Sequence, residues 1–380
     1  MTLRILNVND TLDLMTGGGT AERTFQMSKF LTKQGALCDV LTIDSEQLNV
    51  QRIEEQPANV FVLPCLWKRF NFPKVDWAMI YRLVSEADVI HLMGHWSVLN
   101  ALVYLAIRRT GKPYVVCPAG ALPLYGRSKW LKRCYNFIIG DAIIRNASGW
   151  IAVTEAEFPQ FEEYGVDSSL VTVIPNGVSK EDFLAADVAE FKSRYGLPDA
   201  PMIVFMGRLN PIKGPDLLLN AFLMARHAFP EYHLVFAGPD GGMLASLREN
   251  VEQAGVGGVV HFLGYVGGAD KSATYQMANL LVVPSRQEAM SIVAIEAGIC
   301  GLLVLLTDQC GFREIRSLDT RLEVQASITG IASGLTSLLT DSSCLEKLVP
   351  AWSRFVDKNY SWPSLAPKYV KLYLNILSAR

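Results

Sequence analysis

Residues 278–298 read Ala278-Asn279-Leu280-Leu281-Val282-Val283-Pro284-Ser285-Arg286-Gln287-Glu288-Ala289-Met290-Ser291-Ile292-Val293-Ala294-Ile295-Glu296-Ala297-Gly298. The apolar run 278–283 is typical of a strand that is buried on both faces of a parallel sheet. A turn follows at Pro284-Ser285, and an apolar helical pattern begins near Met290 to Ile292. A buried strand that turns directly into a helix predicts one unit of a layered α/β fold.

Two carboxylates, Glu288 and Glu296, lie eight positions apart in this unit. On one continuous helix they would lie about 12 Å apart and be offset by roughly 80°. They would face one ligand more easily if Glu288 were in the loop and Glu296 one or two turns inside the helix. The helix start between them would then offer unpaired N–H groups to an anion. Carboxylates that bind hydroxyls, close to backbone amides that bind phosphate, would suit a sugar nucleotide.

Strand-like and amphipathic helical patterns alternate along almost the whole chain. Strands are predicted at 3–8, 38–43, 59–63, 89–92, 114–117, 150–153 and 171–174, and then at 202–206, 234–237, 259–263, 280–283 and 302–306. Helices are predicted at 20–34, 76–86, 98–109, 213–228 and 244–254. Two successive series predict two Rossmann-like, doubly wound parallel-sheet domains with a ligand crevice at the strand carboxyl ends. The join is predicted near residues 176–200, where Pro175-Asn176-Gly177 supplies turn residues.

Composition excludes several classes of protein. The chain has 380 residues, of which 50% are hydrophobic and 19% charged, so it is long enough for two folded domains and is not disordered. A net charge of -2 argues against a polynucleotide partner. Its cysteines are scattered, and their odd number favours reduced thiols in the cytoplasm; they are Cys38, Cys65, Cys117, Cys134, Cys300, Cys310 and Cys344. Neither a signal peptide nor an apolar run of membrane-spanning length is predicted.

A glycine-rich element, Thr16-Gly17-Gly18-Gly19-Thr20, is predicted between the first strand and a helix that opens at Ala21. It fits neither the dinucleotide fingerprint nor the P-loop pattern. Glycines allow a backbone to approach a ligand closely, and a helix start favours an anion. The sequence leaves two alternatives for this glycine-rich element, a plain turn and a phosphate-binding turn.

A second loop, Gly207-Arg208-Leu209-Asn210-Pro211-Ile212-Lys213-Gly214, follows the first strand of the second series. Arg208 offers a planar fork to phosphate oxygens, and Lys213 a compact charge. Two cations suit a diphosphate leaving group that gains negative charge as its bond to a sugar breaks. The alternative is a pair of solvated surface cations.

The ordered set of motifs resembles the retaining glycosyltransferases of family 4, which have the GT-B fold, and in particular enzymes of bacterial surface-polysaccharide assembly. The set comprises the glycine-rich turn, Gly-Arg-Leu-x-x-x-Lys-Gly, Glu-x7-Glu, and the segments 88–91, 112–116, 173–178 and 237–239. The resemblance implies two domains that face a central cleft. It implies an acceptor domain at 1–178, completed by a C-terminal helix in 361–380 that crosses back, and a donor domain at 179–360.

The same resemblance implies a role for each motif. Arg208 and Lys213 would hold the diphosphate, together with the backbone at Met290, Ser291 and Ile292. Glu296 would bind the ribose hydroxyls. Glu288 would contact the donor sugar, and with Arg208 and Lys213 would form the catalytic group. Gly18 and Gly19 would close over the phosphates. No metal or other cofactor is implied, because the nucleotide-diphosphate sugar, UDP- or GDP-linked, is a substrate.

Two departures from the family pattern concern the donor sugar. Many relatives carry His-Gly where this chain has Ala119-Gly120, and Ala119 cannot donate a proton or a hydrogen bond. Relatives often have Gly-Phe-Gly where this chain has Ala289-Met290-Ser291. Two alternatives therefore stay open. One is a sugar-nucleotide epimerase of the same architecture, which would need acid/base residues in the crevice. The other is a non-catalytic homologue that only binds a nucleotide sugar.

The acceptor side is predicted to include His95, Ala119, Gly120 and Arg127. The spacing of His91 and His95 could bind zinc on a helix, but this segment is predicted as strand end and loop, so a structural or acceptor-side role is favoured. Stretches 66–74 and 125–135 combine aromatic and cationic residues. They suit an anionic membrane surface, and equally a solvated helix face. Membrane contact would fit a lipid-linked saccharide acceptor and a location in the cytoplasm at the inner face of the membrane.

Overall fold

The computed structural model describes residues 2–44, 58–124 and 129–379. The chain forms two compact units. The first comprises Met1–Gly177 with Trp362–Arg380, and the second comprises Val178–Ser361. These limits differ by one residue from the domain limits that the sequence predicts.

The first unit contains an eight-stranded sheet in the order β4-β3-β2-β1-β5-β6-β7-β8. All neighbouring strands are parallel except β3 and β4, which are antiparallel. The strands are β1 Arg4–Val8, β2 Leu37–Asp44, β3 Asn59–Trp67, β4 Phe72–Pro73, β5 Val89–Met93, β6 Tyr114–Cys117, β7 Gly149–Ala152 and β8 Val171–Val173.

Helices cover both faces of this sheet. They are α1 Leu14–Lys33, α2 Trp77–Glu86, α3 Val98–Thr110, α4 Lys129–Tyr135, α5 Asp141–Arg145, α6 Phe158–Glu162 and the C-terminal α14 Trp362–Ser378. Leu6 and Val8 of β1 belong to the core that α2, α3 and α5 form. Between them, Asn7 donates to Ser28 Oγ of α1 at 2.7 Å, so α1 lies on the opposite face. Helix α14 packs on α1, where Phe30 and Trp362 stack with ring centroids 6.2 Å apart.

The second unit contains a six-stranded parallel sheet in the order β11-β10-β9-β12-β13-β14. Its strands are β9 Met202–Met206, β10 His233–Ala237, β11 Val260–Gly264, β12 Leu280–Val283, β13 Val304–Thr307 and β14 Glu323–Val324. Its helices are α7 Val188–Arg194, α8 Pro215–Ala225, α9 Leu244–Gln253, α10 Gly268–Met277, α11 Ile292–Ile299, α12 Ile328–Leu339 and α13 Ser342–Tyr360. Strands β9, β12 and β13 are buried throughout. This agrees with the unbroken apolar runs of their sequences.

The predicted fold class is confirmed, since both units are doubly wound α/β domains. Each of the twelve predicted strands has an observed counterpart. The ends differ by two residues or fewer except at β3, which was predicted at 59–63 and continues to Trp67. The sequence did not reveal β4 and β14, because each has only two residues and leaves no alternating pattern to detect. In the described part of the chain, no helix is long and apolar enough to cross a membrane.

A helix follows Gly18, as the sequence predicts, but the helical turn that precedes Gly18 from Leu14 was not predicted. Helix α1 begins at Leu14, and Gly17, Gly18 and Gly19 lie inside it. The helix is kinked at Gly18, whose backbone has φ 52° and ψ -131°. A glycine can adopt such a conformation without a Cβ clash, and so the helical hydrogen bonding resumes on both sides of the kink.

Candidate functional site

The centre of the second sheet is the point where the strand order reverses. Strand β9 lies between β10 and β12, so the chain winds outward in one direction from β9 and in the other from β12. In open α/β sheets, ligands bind outside the strand carboxyl ends at such a point. The loop with Arg208 and Lys213 follows β9, and the loop with Glu288 follows β12.

The loop after β9 is folded tightly against the end of β12. Gly214 has φ 67°, and a Cβ added there would lie 2.1 Å from the carbonyl oxygen of Pro284. Only glycine fits this position, because any side chain would collide with backbone. Asn210 Oδ1 accepts from the backbone N–H of Lys213 at 3.0 Å, which fixes the turn before it. Arg208 is exposed at the start of the same loop.

Lys213 and Glu288 form an ion pair across these two loops, with Nζ 2.6 Å from Oε1. Ser285 Oγ donates to the other carboxylate oxygen of Glu288 at 2.9 Å. The Glu288 backbone N–H donates to Gln309 O at 2.9 Å, which holds the residue in the loop rather than in the helix. An ammonium group has three donors, so Lys213 can bind Glu288 and still donate to a ligand anion.

Helix α11 begins immediately after this loop. Ser291 is its N-cap, and no side chain caps the helix there. Ser291 Oγ is buried and has no hydrogen-bond partner in the described residues. The first backbone N–H groups of a helix have no intrahelical acceptor and carry partial positive charge. The start of α11 can therefore accept an anion, and the neighbouring Met290 is also buried.

Glu296 lies in the second turn of α11 and is 5% exposed. Lys271 Nζ donates to its Oε1 at 2.5 Å, and Tyr275 Oη donates to its Oε2 at 2.7 Å. Burial and the adjacent Glu296 charge raise the pKa of Tyr275 well above its usual value, so its hydroxyl remains a donor. The placement that the sequence predicted, with Glu288 in the loop and Glu296 inside the helix, is the one observed.

Lys271 and Tyr275 were missed in the sequence. They lie four residues apart on α10 and so share one face of that helix. Their i, i+4 spacing was a detectable signal. Nothing local, however, shows that α10 directs this face to Glu296, since that contact comes from tertiary packing.

The first unit places polar groups at the corresponding edge of its sheet. There the strand order reverses between β1 and β5. Ser97 Oγ donates to Asp10 Oδ1 at 2.5 Å, and burial raises the pKa of Asp10 to about 6. His95 is buried, with Nε2 2.8 Å from Asn136 Oδ1, and its Nδ1 has no partner in the described residues. Burial lowers the pKa of His95 to about 4, so the ring is neutral at pH 7.

The Ala119-Gly120 turn is held by a buried carboxylate. Gly120 N donates to Glu157 Oε2 at 3.1 Å, and Val153 N donates to Glu157 Oε1 at 3.2 Å. Burial raises the pKa of Glu157, and these backbone donors oppose that rise. Ala119 has φ 50°, a left-handed conformation that costs an L-residue roughly 1–2 kcal/mol. Glu157 was not recognised in the sequence.

The remaining predicted residues are placed as follows. Gly18 and Gly19 are exposed on α1. Arg127 lies outside the described residues. Within the described ranges, no group of three or more His, Cys, Asp or Glu side chains is arranged to hold a metal ion. The ligand roles assigned to these side chains stay predictions.

Comparison with known proteins gives two family matches. Residues 17–182 match Glycosyltransferase Family 4, and residues 187–352 match Glycosyl transferases group 1. A D-inositol 3-phosphate glycosyltransferase from Actinosynnema mirum is 30% identical over 246 residues, which are 58% of each chain. The chain spans about half the length of the curated relatives that it matches.

Solved structures share the fold at low sequence identity. HepE from Anabaena, solved in complex with UDP and glucose, has a TM-score of 0.79 at 17% identity, covering 98% of this chain and 100% of that one. Sucrose-phosphate synthase from Thermosynechococcus elongatus has a TM-score of 0.77 at 19% identity, with both chains fully covered. The two family matches follow each other along most of the sequence, and the chain has the GT-B glycosyltransferase fold.

Proposed function

We propose that the protein is a retaining glycosyltransferase that moves a hexose-type sugar from a nucleotide-diphosphate donor to a saccharide or lipid-linked saccharide, in the assembly of a surface polysaccharide or glycan. The Lys213–Glu288 pair carries the proposal. It joins the two loops that leave the centre of the second sheet, beside the start of α11. This position is where open α/β sheets bind ligands, and the pair brings together groups for phosphate and for hydroxyls.

The donor would be bound along β9, β12 and α11. Arg208, Lys213 and the first amides of α11 supply positive charge to a diphosphate. Glu296 would accept hydrogen bonds from the ribose hydroxyls, with Lys271 and Tyr275 fixing its orientation. Glu288 would accept from hydroxyls of the sugar. HepE, a protein of the same fold, binds UDP and glucose, which supports a nucleotide-sugar donor.

In the proposed reaction, the bond between the sugar C1 and the diphosphate oxygen breaks, and a bond from C1 to the acceptor oxygen forms on the same face. The acceptor proton passes to the departing diphosphate. Charge develops on that diphosphate, so Lys213, Arg208 and the α11 amides would stabilise the transition state more than the ground state. We propose that the reaction is metal-independent, because Lys213, Arg208 and the α11 amides provide the positive charge that the leaving group needs.

Incubation with a sugar nucleotide tests the activity. With UDP- or GDP-sugar and a suitable acceptor, the protein should release nucleoside diphosphate and form a glycoside of unchanged anomeric configuration. With donor alone it should give at most slow hydrolysis. An epimerised donor would identify the alternative isomerase, and binding without any product would identify the binding-only homologue. The names of the curated relatives make D-inositol 3-phosphate a rational first acceptor.

A further inference from the structure

The segment Lys129–Gly140 leaves an unusual set of side chains uncovered. Helix α4 continues into a π-helix, Asn136–Gly140, and then into α5. Trp130, Phe137 and Ile138 are 66%, 90% and 76% exposed. A nearly bare phenylalanine beside an exposed isoleucine and tryptophan is unfavourable in water. Such apolar surface commonly marks an interaction site.

The charged residues of this segment are all positive. Residues 129–140 contain three cations and no acidic residue, whereas the whole chain has 35 Lys and Arg against 37 Asp and Glu. Lys132 lies over the ring of Trp96, with Nζ 4.9 Å from its centroid. Lys129 and Arg133 are exposed beside the apolar side chains. Apolar side chains flanked by cations match an anionic lipid surface better than a protein surface, whose interface core is usually depleted of Lys.

The inner side of the same segment is bonded to the sheet edge that carries the predicted acceptor residues. Tyr135 Oη donates to Ser97 O at 3.0 Å. Asn136 Oδ1 lies 2.8 Å from His95 Nε2, and Asn136 Nδ2 donates to Tyr164 Oη at 2.6 Å. π-Helical turns are rare and frequently occur at functional sites. Here the π-turn contains both Asn136, which faces His95, and the exposed pair Phe137 and Ile138.

A second exposed aromatic surface lies at the same edge of the sheet. It is the hairpin formed by β3 and β4, where Trp67 and Phe70 pack edge to face with centroids 4.8 Å apart. Leu66 and Phe72 are exposed beside them. Residues 66–75 again contain three cations and no acid. The hairpin follows the carboxyl end of β3, and 129–140 is bonded through Tyr135 and Asn136 to the loop that follows β5, so both lie toward the carboxyl edge.

We infer that residues 129–140 are an interfacial docking element, which inserts Trp130, Phe137 and Ile138 into the headgroup region of an anionic bilayer with Lys129 and Arg133 at lipid phosphates. The hairpin lies at the same sheet edge and provides an auxiliary contact. Since Tyr135 and Asn136 bind the His95 loop, docking holds the acceptor edge at the membrane surface. The inference rests on the proposed function in one respect only: a lipid-linked acceptor would explain why the acceptor edge is held at a membrane.

Vesicle flotation without any sugar nucleotide tests the inference, so that its outcome does not depend on enzyme activity. Wild-type protein should float with vesicles of phosphatidylcholine and phosphatidylglycerol, and not with phosphatidylcholine alone. Replacing Phe137 and Ile138 with Ser should weaken binding about ten-fold, since two apolar side chains no longer insert. K129Q with R133Q should weaken it roughly 25-fold, about five-fold for each cation removed.

Leu170→Ser is the matched control, because Leu170 is an exposed leucine of the same unit just before β8, at the amino edge of the sheet. It should bind like wild type. The blue shift of tryptophan emission on docking should shrink in W130F. Wild-type protein that stays with the soluble fraction at low salt overturns the inference, as does equal flotation of the F137S/I138S variant. Loss of binding only in W67S/F70S would assign docking to the hairpin and also overturn it. Unchanged glycosyl transfer by F137S/I138S to a soluble acceptor would show that the site itself is intact.

Discussion

Lys213 and Glu288, 75 residues apart in sequence, pair with Nζ 2.6 Å from Oε1 and so tie the loop after β9 to the loop after β12. The pair is partly buried, and Ser285 completes the bonding of the carboxylate. Neither residue is placed by its own loop alone, because Gly214 must lie directly against Pro284 for the two side chains to meet. The geometry of this contact determines the first prediction.

Lys213→Ala should lower kcat for glycosyl transfer about 100- to 1000-fold, the usual effect of removing one group that stabilises developing charge. Steady-state release of nucleoside diphosphate measures it. Lys192→Ala is the matched control, since Lys192 also pairs with a carboxylate of the second unit, Asp199 at 3.1 Å, on the surface. A kcat within a factor of two or three of wild type for K213A would remove Lys213 from the mechanism.

Glu296→Gln should weaken binding of the nucleotide sugar about ten-fold or more, because hydrogen bonds from ligand hydroxyls to a carboxylate contribute roughly 1.5–3 kcal/mol. Tyr275→Phe leaves the charge in place and removes only the 2.7 Å bond that orients it. It should therefore weaken binding less than E296Q and destabilise the fold by about 1 kcal/mol. Calorimetric titration and urea denaturation separate the two effects. Affinity of E296Q equal to wild type would show that Glu296 is only structural.

Ala119→Gly should stabilise the first unit by about 0.5–1 kcal/mol, because glycine adopts the left-handed conformation of Ala119 without strain but loses more entropy on folding. Gly120→Ala should do the opposite, since Gly120 has φ 81°. The two substitutions, at adjacent positions, should therefore change the free energy of unfolding in opposite directions. Denaturation midpoints measure both changes. A destabilised A119G variant would contradict the strain at Ala119.

His95 should make the first unit less stable in acid. Burial lowers its pKa from 6.5 to about 4, so the unfolded chain takes up a proton at a higher pH than the folded one. The stability from the neutral ring is present above pH 6.5 and is lost as pH falls toward 4, by up to about 3 kcal/mol. His95→Gln can keep a nitrogen donor for Asn136 and cannot titrate. The free energy of unfolding of wild type minus that of H95Q should decrease as pH falls from 6.5 to about 4. A difference that stays constant over this range would refute the assignment.

The sequence predicted most of the fold because buried parallel strands leave long apolar runs, as in β9 and β12. The same run, with its turn and helix, was sufficient to place Glu288 in a loop and Glu296 inside α11. The helical turn before Gly18 was not predicted, since three glycines in a row suggest a loop; Gly18 itself does have a non-helical backbone.

Tertiary contacts account for what the sequence did not show at the site. Lys271 and Tyr275 have no special spacing relative to Glu296, and only the tertiary fold brings their side chains within 2.5 and 2.7 Å of its oxygens. Glu157 is similar in part, because one of its backbone donors, Gly120, lies 37 residues away in sequence. The π-turn at Asn136–Gly140 has no sequence signature comparable to a helix cap.

Calorimetric titration of the protein with UDP- and GDP-sugars tests the central claim most directly. The site at the centre of the second sheet predicts saturable binding of one sugar nucleotide per chain. That binding should be weakened in both K213A and E296Q and retained in K192A. The absence of binding by any sugar nucleotide, or equal binding by wild type and the K213A/E296Q double variant, would contradict the account.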